Sequence, residues 1–166
     1  MNNEKQKSTN TDSNSATVAG YMENRRTKYV VGFAFNEFET FVALILKARP
    51  NWQKGKFNGI GGHIEEGETP EQAMNREWME ETQADEVNWT LFCKLIGEEY
   101  EVYFYRGNTE IDHLESFSEG ETIWRLPVDE LPKNIIPNLN WLIPMAQLTS
   151  IHDYPYLIEE RAGFSI

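Results

Sequence analysis

Three glutamates, Glu77, Glu80 and Glu81, carry the first chemical signal in the sequence, inside the stretch GGHIEEGETPEQAMNREWMEE that runs from Gly61 to Glu81. If the stretch is helical, each residue advances about 100°. With Glu77 at zero, Glu81 falls at roughly 40° and Glu80 at roughly −60°, so all three share one side. Ala73, Met74 and Trp78 fall on the same half of the helix, whereas a solvated acidic face lies opposite the apolar stripe. Like charges at i and i+4 repel, and carboxylates at a helix C-terminus oppose the macrodipole, each costing a few tenths to about 1 kcal/mol. A hard divalent cation removes that conflict. Mg²⁺ takes oxygen ligands, keeps several waters and bridges to substrate phosphates, which suits carboxylates with no His or Cys partner. On these residues alone, a metal site and a merely acidic helix both remain open.

The elements that must position these residues are legible around them. Thr69–Pro70–Glu71–Gln72 starts a helix: Thr69 caps it, Pro70 suits its first position and Gln72 completes a capping box. The helix is expected from Pro70 to about Thr82. Upstream, KYVVGFAF and TFVALILKA have the β-branched, aromatic character of a strand hairpin, followed by the loop RPNWQKGKFNG. Downstream, VNWTLFCKLIG and YEVYFYRG are two more strands, a polar loop leads to TIWRLP, and a Pro-punctuated segment ends in a closing helix. Strands on both sides of a central helix imply an α/β domain, with a mixed sheet flanked by helices rather than regular βαβ winding.

Residues 1–26 are polar and nearly free of apolar side chains, and are expected to form a flexible tail. Residues 27–166 are expected to form a single domain, the length suiting one core and not two. No apolar run approaches the ~20 residues of a membrane span. The single cysteine, Cys93, cannot form an internal disulfide and sits in an apolar run as a buried, inert thiol, so a cytoplasmic setting is expected. The net charge of −12 argues against binding a nucleic-acid polymer, whose phosphates would be repelled. Residues 65–86 hold nine acidic residues and one basic, Arg76, and therefore most of that excess. A small anionic substrate remains compatible if a cation screens it.

The spacing is specific. Gly62, five residues to Glu68, seven to Arg76–Glu77, then Trp78 and the pair Glu80–Glu81 resembles the Nudix box, G-x5-E-x7-R-E-U-x-E-E-x-G-U with U apolar. Gln83 stands where the box has glycine, at a position just past the helix where a left-handed residue is favoured. With two strands before the box, two after it and IWRLPVDELP leading to a helix, the resemblance implies a Nudix-like α/β/α sandwich with a mixed central sheet.

The resemblance implies roles residue by residue. Glu77, Glu80 and Glu81 would bind Mg²⁺ or Mn²⁺, with the Gly61 carbonyl completing the set, and Arg76 would orient the glutamates with Glu68 as its partner. The implied reaction is hydrolysis of a nucleoside diphosphate linked to another group. The general base is not fixed by the box: a helix glutamate is one candidate, Glu119 and Glu115 in the loop before the last strand are others, and Glu98 or Glu99 the fallback.

The setting is similar to that of MutT-like members, in which a polar residue near the start of the last helix reads the base. Asn138 is the best match and Asn140 the second, although helix capping suits Asn138 equally. Arg49 and Lys54 are expected to meet phosphates, and Lys47 to be solvated. Phe33, Phe35 and Trp141 either wall a base pocket or belong to the core, and His63 is given no catalytic part. The expected partner is a small nucleotide, most simply an oxidised purine triphosphate, bound by a monomer or homodimer. The alternatives are ADP-ribose, NADH or dinucleoside polyphosphate hydrolysis, and a non-catalytic regulator.

Overall fold

The computed structural model describes residues 26–148 and 155–160; the expected tail lies outside them except for Arg26. Side chains alternate along the first two strands, β1 (Thr27–Phe35) and β2 (Phe41–Leu46), and this alternation builds two cores. Phe33, Phe35, Val42 and Leu44 enter one; Val30, Ala34, Ala43 and Ile45 enter the other. The two strands form the expected antiparallel hairpin, with Ala34 opposite Ala43. Phe33 and Phe35 are fully buried, so they are core residues and not walls of a pocket.

The remaining elements are β3 (Phe57–Asn58), helix α1 (Pro70–Thr82), β4 (Thr90–Ile96), β5 (Tyr100–Asn108), β6 (Thr122–Pro127), helix α2 (Leu139–Leu148) and β7 (Tyr156–Glu159). The sheet runs β3-β2-β1-β5-β4-β7, with β6 added on β2. It is mixed: β1 pairs in parallel with β5 and β4 with β7, the other pairs being antiparallel. Helix α1 buries Ala73, Met74 and Trp78 on one core, and α2 buries Leu139, Leu142 and Ile143 on the other. The helices therefore cover opposite faces, an α/β/α sandwich. No helix among the described residues is long and apolar enough to cross a membrane.

The start of α1 is the predicted capping box. The Gln72 amide donates to Thr69 Oγ1 at 3.2 Å, and the Thr69 amide to Gln72 Oε1 at 2.9 Å. At its other end Gln83 takes the left-handed conformation, φ 51°, and its amide donates to the Met79 carbonyl. Strands β3 and β7 were not legible as strands, being two and four residues long.

Candidate functional site

The site is built where α1 meets the turn Gly61–Gly62. This turn is tied to β1, the Val30 amide donating to the Gly62 carbonyl at 2.9 Å and the Gly32 amide to the Ile60 carbonyl at 2.7 Å. Gly61 has φ +151°, and a Cβ there would lie 2.2 Å from the Val30 carbonyl oxygen; one on Gly62 would lie 2.5 Å from Glu77 Oε1. Only glycines let the backbone lie between strand and carboxylate. The Gly61 amide donates to Glu81 Oε2 at 3.2 Å. Two of the three helix glutamates thus abut one turn, while the Glu80 side chain, 60% exposed, lies outward.

Arg76 connects them. Its Nε and Nη2 grip both oxygens of Glu68, at 2.7 and 3.1 Å. Its Nη1 reaches Glu77 at 2.9 Å and Glu80 at 3.2 Å, and Nη2 also donates to the His63 carbonyl at 2.8 Å. A planar fork with five donors can hold all these acceptors at once. Through the Arg76 hydrogen bond, Glu68 is held below the usual carboxylate range. Burial pushes Glu77 up, and pushes Glu81 further, to about 7.

The structure brings in two residues that sequence reasoning missed. Lys47, immediately after β2, is largely buried, not solvated; its Nζ lies 2.9 Å from Glu121 and 3.9 Å from Glu81. Glu121, immediately before β6, also accepts from the Ala48 amide at 3.0 Å. The two meet because β2 and β6 are antiparallel with Leu46 opposite Thr122. Glu119 and Glu115 stand exposed on the loop before β6, so Glu121 is the carboxylate which that loop delivers to the cluster.

Beside the glycine turn opens a cavity of about 930 Å³, lined by Lys47, Arg49, Gly61, Gly62, Asn138 and Glu160, among others. Asn138 Oδ1 is buried with no hydrogen-bond partner, so the side chain does not cap α2. Asn140 instead turns back to the Pro137 carbonyl at 3.1 Å and is exposed. Arg49 is an exposed part of the cavity wall, and Trp141 is 39% exposed. Lys54 is an exposed residue of the turn following Pro50. Glu98 and Glu99 are exposed between β4 and β5, and Glu99 also lines the cavity. His63 packs its ring on Tyr29 with centroids 4.4 Å apart. Cys93 is buried, its thiol pushed up to about 11.

A sandwich in which one covering helix presents glutamates to a glycine turn beside a large cavity defines a class of fold and site, and the NUDIX domain model matches residues 25–145. The chain belongs to the Nudix family, a family of hydrolases of nucleotide-linked pyrophosphate that generally use a divalent cation. No curated protein matches the sequence. Among solved structures, a NUDIX hydrolase from Nitrosomonas europaea is 19% identical, with TM-score 0.63 over 82% of this chain and 80% of its own. A MutT structure described for Aliivibrio salmonicida and Vibrio cholerae is 21% identical, with TM-score 0.58 over 76% and 98%. The NUDIX domain of Shewanella oneidensis NrtR, complexed with ADP ribose, is 17% identical, with TM-score 0.63 over 80% and 96%. At these identities the likeness is one of fold.

The residues present fit a divalent cation of the Mg²⁺ kind. The available donors are carboxylate and backbone oxygens, and burial disfavours the charge on Glu77 and Glu81 even with Arg76 and Lys47 beside them, a cost that a divalent cation would offset. Among the described residues no three acidic or imidazole side chains close into a ready cage. An open site suits Mg²⁺, which is held by one or two carboxylates together with water and substrate phosphates.

Proposed function

We propose that this chain hydrolyses a pyrophosphate bond in a nucleoside triphosphate, yielding monophosphate and pyrophosphate, with oxidised purine nucleotides as the favoured substrates. The observation that carries the reading is one cavity lined both by a carboxylate-backed glycine turn and by Asn138, a residue whose Oδ1 is buried without a hydrogen-bond partner. The turn suits phosphates screened by a cation. The lone acceptor suits a base that presents an N–H, and an 8-oxopurine carries one at N7, where an ordinary purine has an acceptor.

Glu77, Glu80 and Glu81 would hold Mg²⁺ or Mn²⁺, which when bound neutralises the diphosphate and lowers the pKa of a bound water. Arg76 orients Glu77 and Glu80 through its hydrogen bonds, with Glu68 fixing its far side. Arg49 meets phosphate oxygens at the cavity wall. Water attacks one phosphorus in line, the P–O bond to the bridging oxygen breaks, and the leaving phosphate takes the electron pair. The proton released by water passes to a glutamate of α1. Glu121 is committed to Lys47 and the Ala48 amide, and Glu119 stands exposed outside the cluster.

A second reading is hydrolysis of an ADP-ribose-like substrate. The cavity volume, near the upper end of small-molecule sites, favours it, as does the ADP ribose in the Shewanella NUDIX domain. The test is a panel of canonical and oxidised nucleoside triphosphates, ADP-ribose, NADH and dinucleoside polyphosphates, assayed with Mg²⁺ for the phosphorus products. The expected result is pyrophosphate release, fastest from an oxidised purine triphosphate, and a loss of well over tenfold in Glu81→Gln. No turnover of any compound, or a Glu81→Gln rate within about tenfold of wild type, about 1.4 kcal/mol, would overturn the reading.

A further inference from the structure

We propose that the β7 end of the cavity reads the nucleobase through Glu160, whose carboxylate accepts from an edge carrying two adjacent N–H donors, the arrangement of a guanine-type purine. The proposal rests on the nucleotide reading of the cavity and adds to it a second group that recognises the base, besides Asn138. From the glycine turn the cavity extends over Val31, Val102 and Phe104 to a second polar end made by Glu99, Tyr100 and Glu160. Lys47 follows β2 and Glu160 follows β7, four strand spacings apart in the sheet order. At about 4.8 Å per spacing the two ends are roughly 19 Å apart.

The two ends have opposite chemistry. Arg49 and Lys47, the latter paired with Glu121 and Glu81, line the first, and among the described lining residues two carboxylates and no cation mark the second. A phosphate is repelled from Glu99 and Glu160 and, in the nucleotide reading, goes to Arg49 and to the cation that the α1 glutamates would hold at the first end, so a nucleotide lies with its base over the apolar floor and toward β7.

Glu160 is held in place. Its amide donates to the Ile96 carbonyl at 2.9 Å, continuing the β4–β7 ladder by one residue. The Tyr100 hydroxyl donates to Glu160 Oε2, and its ring occupies the space where a side chain on Gly97 would be, 2.5 Å from an added Cβ. With Glu160 beside it, the Tyr100 hydroxyl is pushed up to about 12 and so remains a donor. A carboxylate offers about four lone-pair sites, and among the described residues Tyr100 takes one, so Oε1 and the rest of Oε2 are left for a ligand. Guanine presents a ring N–H beside an exocyclic amine and can satisfy both oxygens. Hypoxanthine presents one donor, adenine a donor beside an acceptor, and uracil an N–H flanked by carbonyls that the carboxylate repels.

The experiment is calorimetric binding of the 5′-monophosphates of guanosine, inosine, adenosine and uridine to the full chain with Mg²⁺, compared with Glu160→Gln and Glu99→Gln. Wild type is expected to prefer guanosine monophosphate, and Glu160→Gln to lose about tenfold for it while uridine monophosphate changes less than twofold. Glu99→Gln should shift all four alike, since it alters only the field. Equal binding of all four by wild type, no binding of any, or a preference that survives in Glu160→Gln overturns the inference. If no triphosphate is hydrolysed but the preference and its loss are observed, the hydrolytic reading fails and the base-reading role stands.

Discussion

Lys47 Nζ stands 2.9 Å from Glu121 and 3.9 Å from Glu81, so one nearly buried ammonium faces carboxylates from two separate elements. The second carboxylate belongs to the proposed metal face, and the first anchors the end of β6 to the end of β2. Removing one member of a buried pair leaves an uncompensated charge, at about 3–5 kcal/mol. Lys47→Met is therefore expected to lose about 3 kcal/mol in urea unfolding, and the double variant Lys47→Met/Glu121→Gln to recover part of that loss. A cost below about 1 kcal/mol for the single variant would mean that the pair is solvated.

Glu81 makes the stability of the metal-free chain depend on pH in a defined direction. Burial raises its folded pKa from 4.5 to about 7, against the opposing pull of Lys47 and with Glu77 and Glu121 adding to the rise. Between those two values the folded state binds the extra proton, so stability falls as pH rises through the window and stays low above it. The difference corresponds to roughly 3 kcal/mol. In chelator, Glu81→Gln should match wild type near pH 4.5 and exceed it at pH 8. Added Mg²⁺ should reverse the order at pH 8, because only the ionised glutamate gains from the cation. Thermal unfolding with and without chelator measures both, and parallel pH curves for the two proteins would refute the shift.

Local signals carried the elements, and pairing between distant segments carried what was missed. The span of α1 follows from Thr69, Pro70 and Gln72, which act within one turn, and the two-sided alternation of β1 and β2 follows from a period of two. Lys47 and Glu121 are 74 residues apart. Their contact depends on the β2–β6 register, which periodicity does not encode, and the same register decides that Glu121 and not Glu119 reaches the cluster. Strand β7 is four residues long and gains its identity from β4, so no pattern of its own announced it. The glutamate spacing was legible because a helix fixes it. Whether Asn138 caps or faces a cavity was not, since both uses place an amide at the same position.

Gln83 carries the strain of the one departure from the box pattern. Its φ of 51° at the end of α1 costs a residue with a Cβ about 1–2 kcal/mol, while glycine there gives back about 0.4–1 kcal/mol in unfolded-state entropy. Gln83→Gly is accordingly expected to stabilise the chain by about 0.5–1 kcal/mol by urea unfolding, without altering nucleotide affinity, because its amide bond to the Met79 carbonyl is kept. A destabilised variant would show that the Gln83 side chain makes a compensating contact.

Asn138 separates a cap from a ligand contact by sign. Its backbone carbonyl accepts from the Leu142 amide at 3.0 Å, while its side-chain Oδ1 is buried without a partner. If the side chain capped α2, Asn138→Ala would cost about 1 kcal/mol. An acceptor kept dry for a ligand already bears a desolvation penalty in the free protein. Its removal is then expected to change stability by less than about 0.5 kcal/mol, or to raise it. The same substitution should weaken an oxidised purine nucleotide about tenfold and leave pyrophosphate binding unchanged, since only the base is near the lost oxygen. Asn138→Asp, which keeps an acceptor at the same place, should retain most of the purine affinity. Thermal unfolding read beside the two affinities decides the matter: a stability loss with affinity intact assigns Asn138 to the helix, and the opposite pattern assigns it to the base.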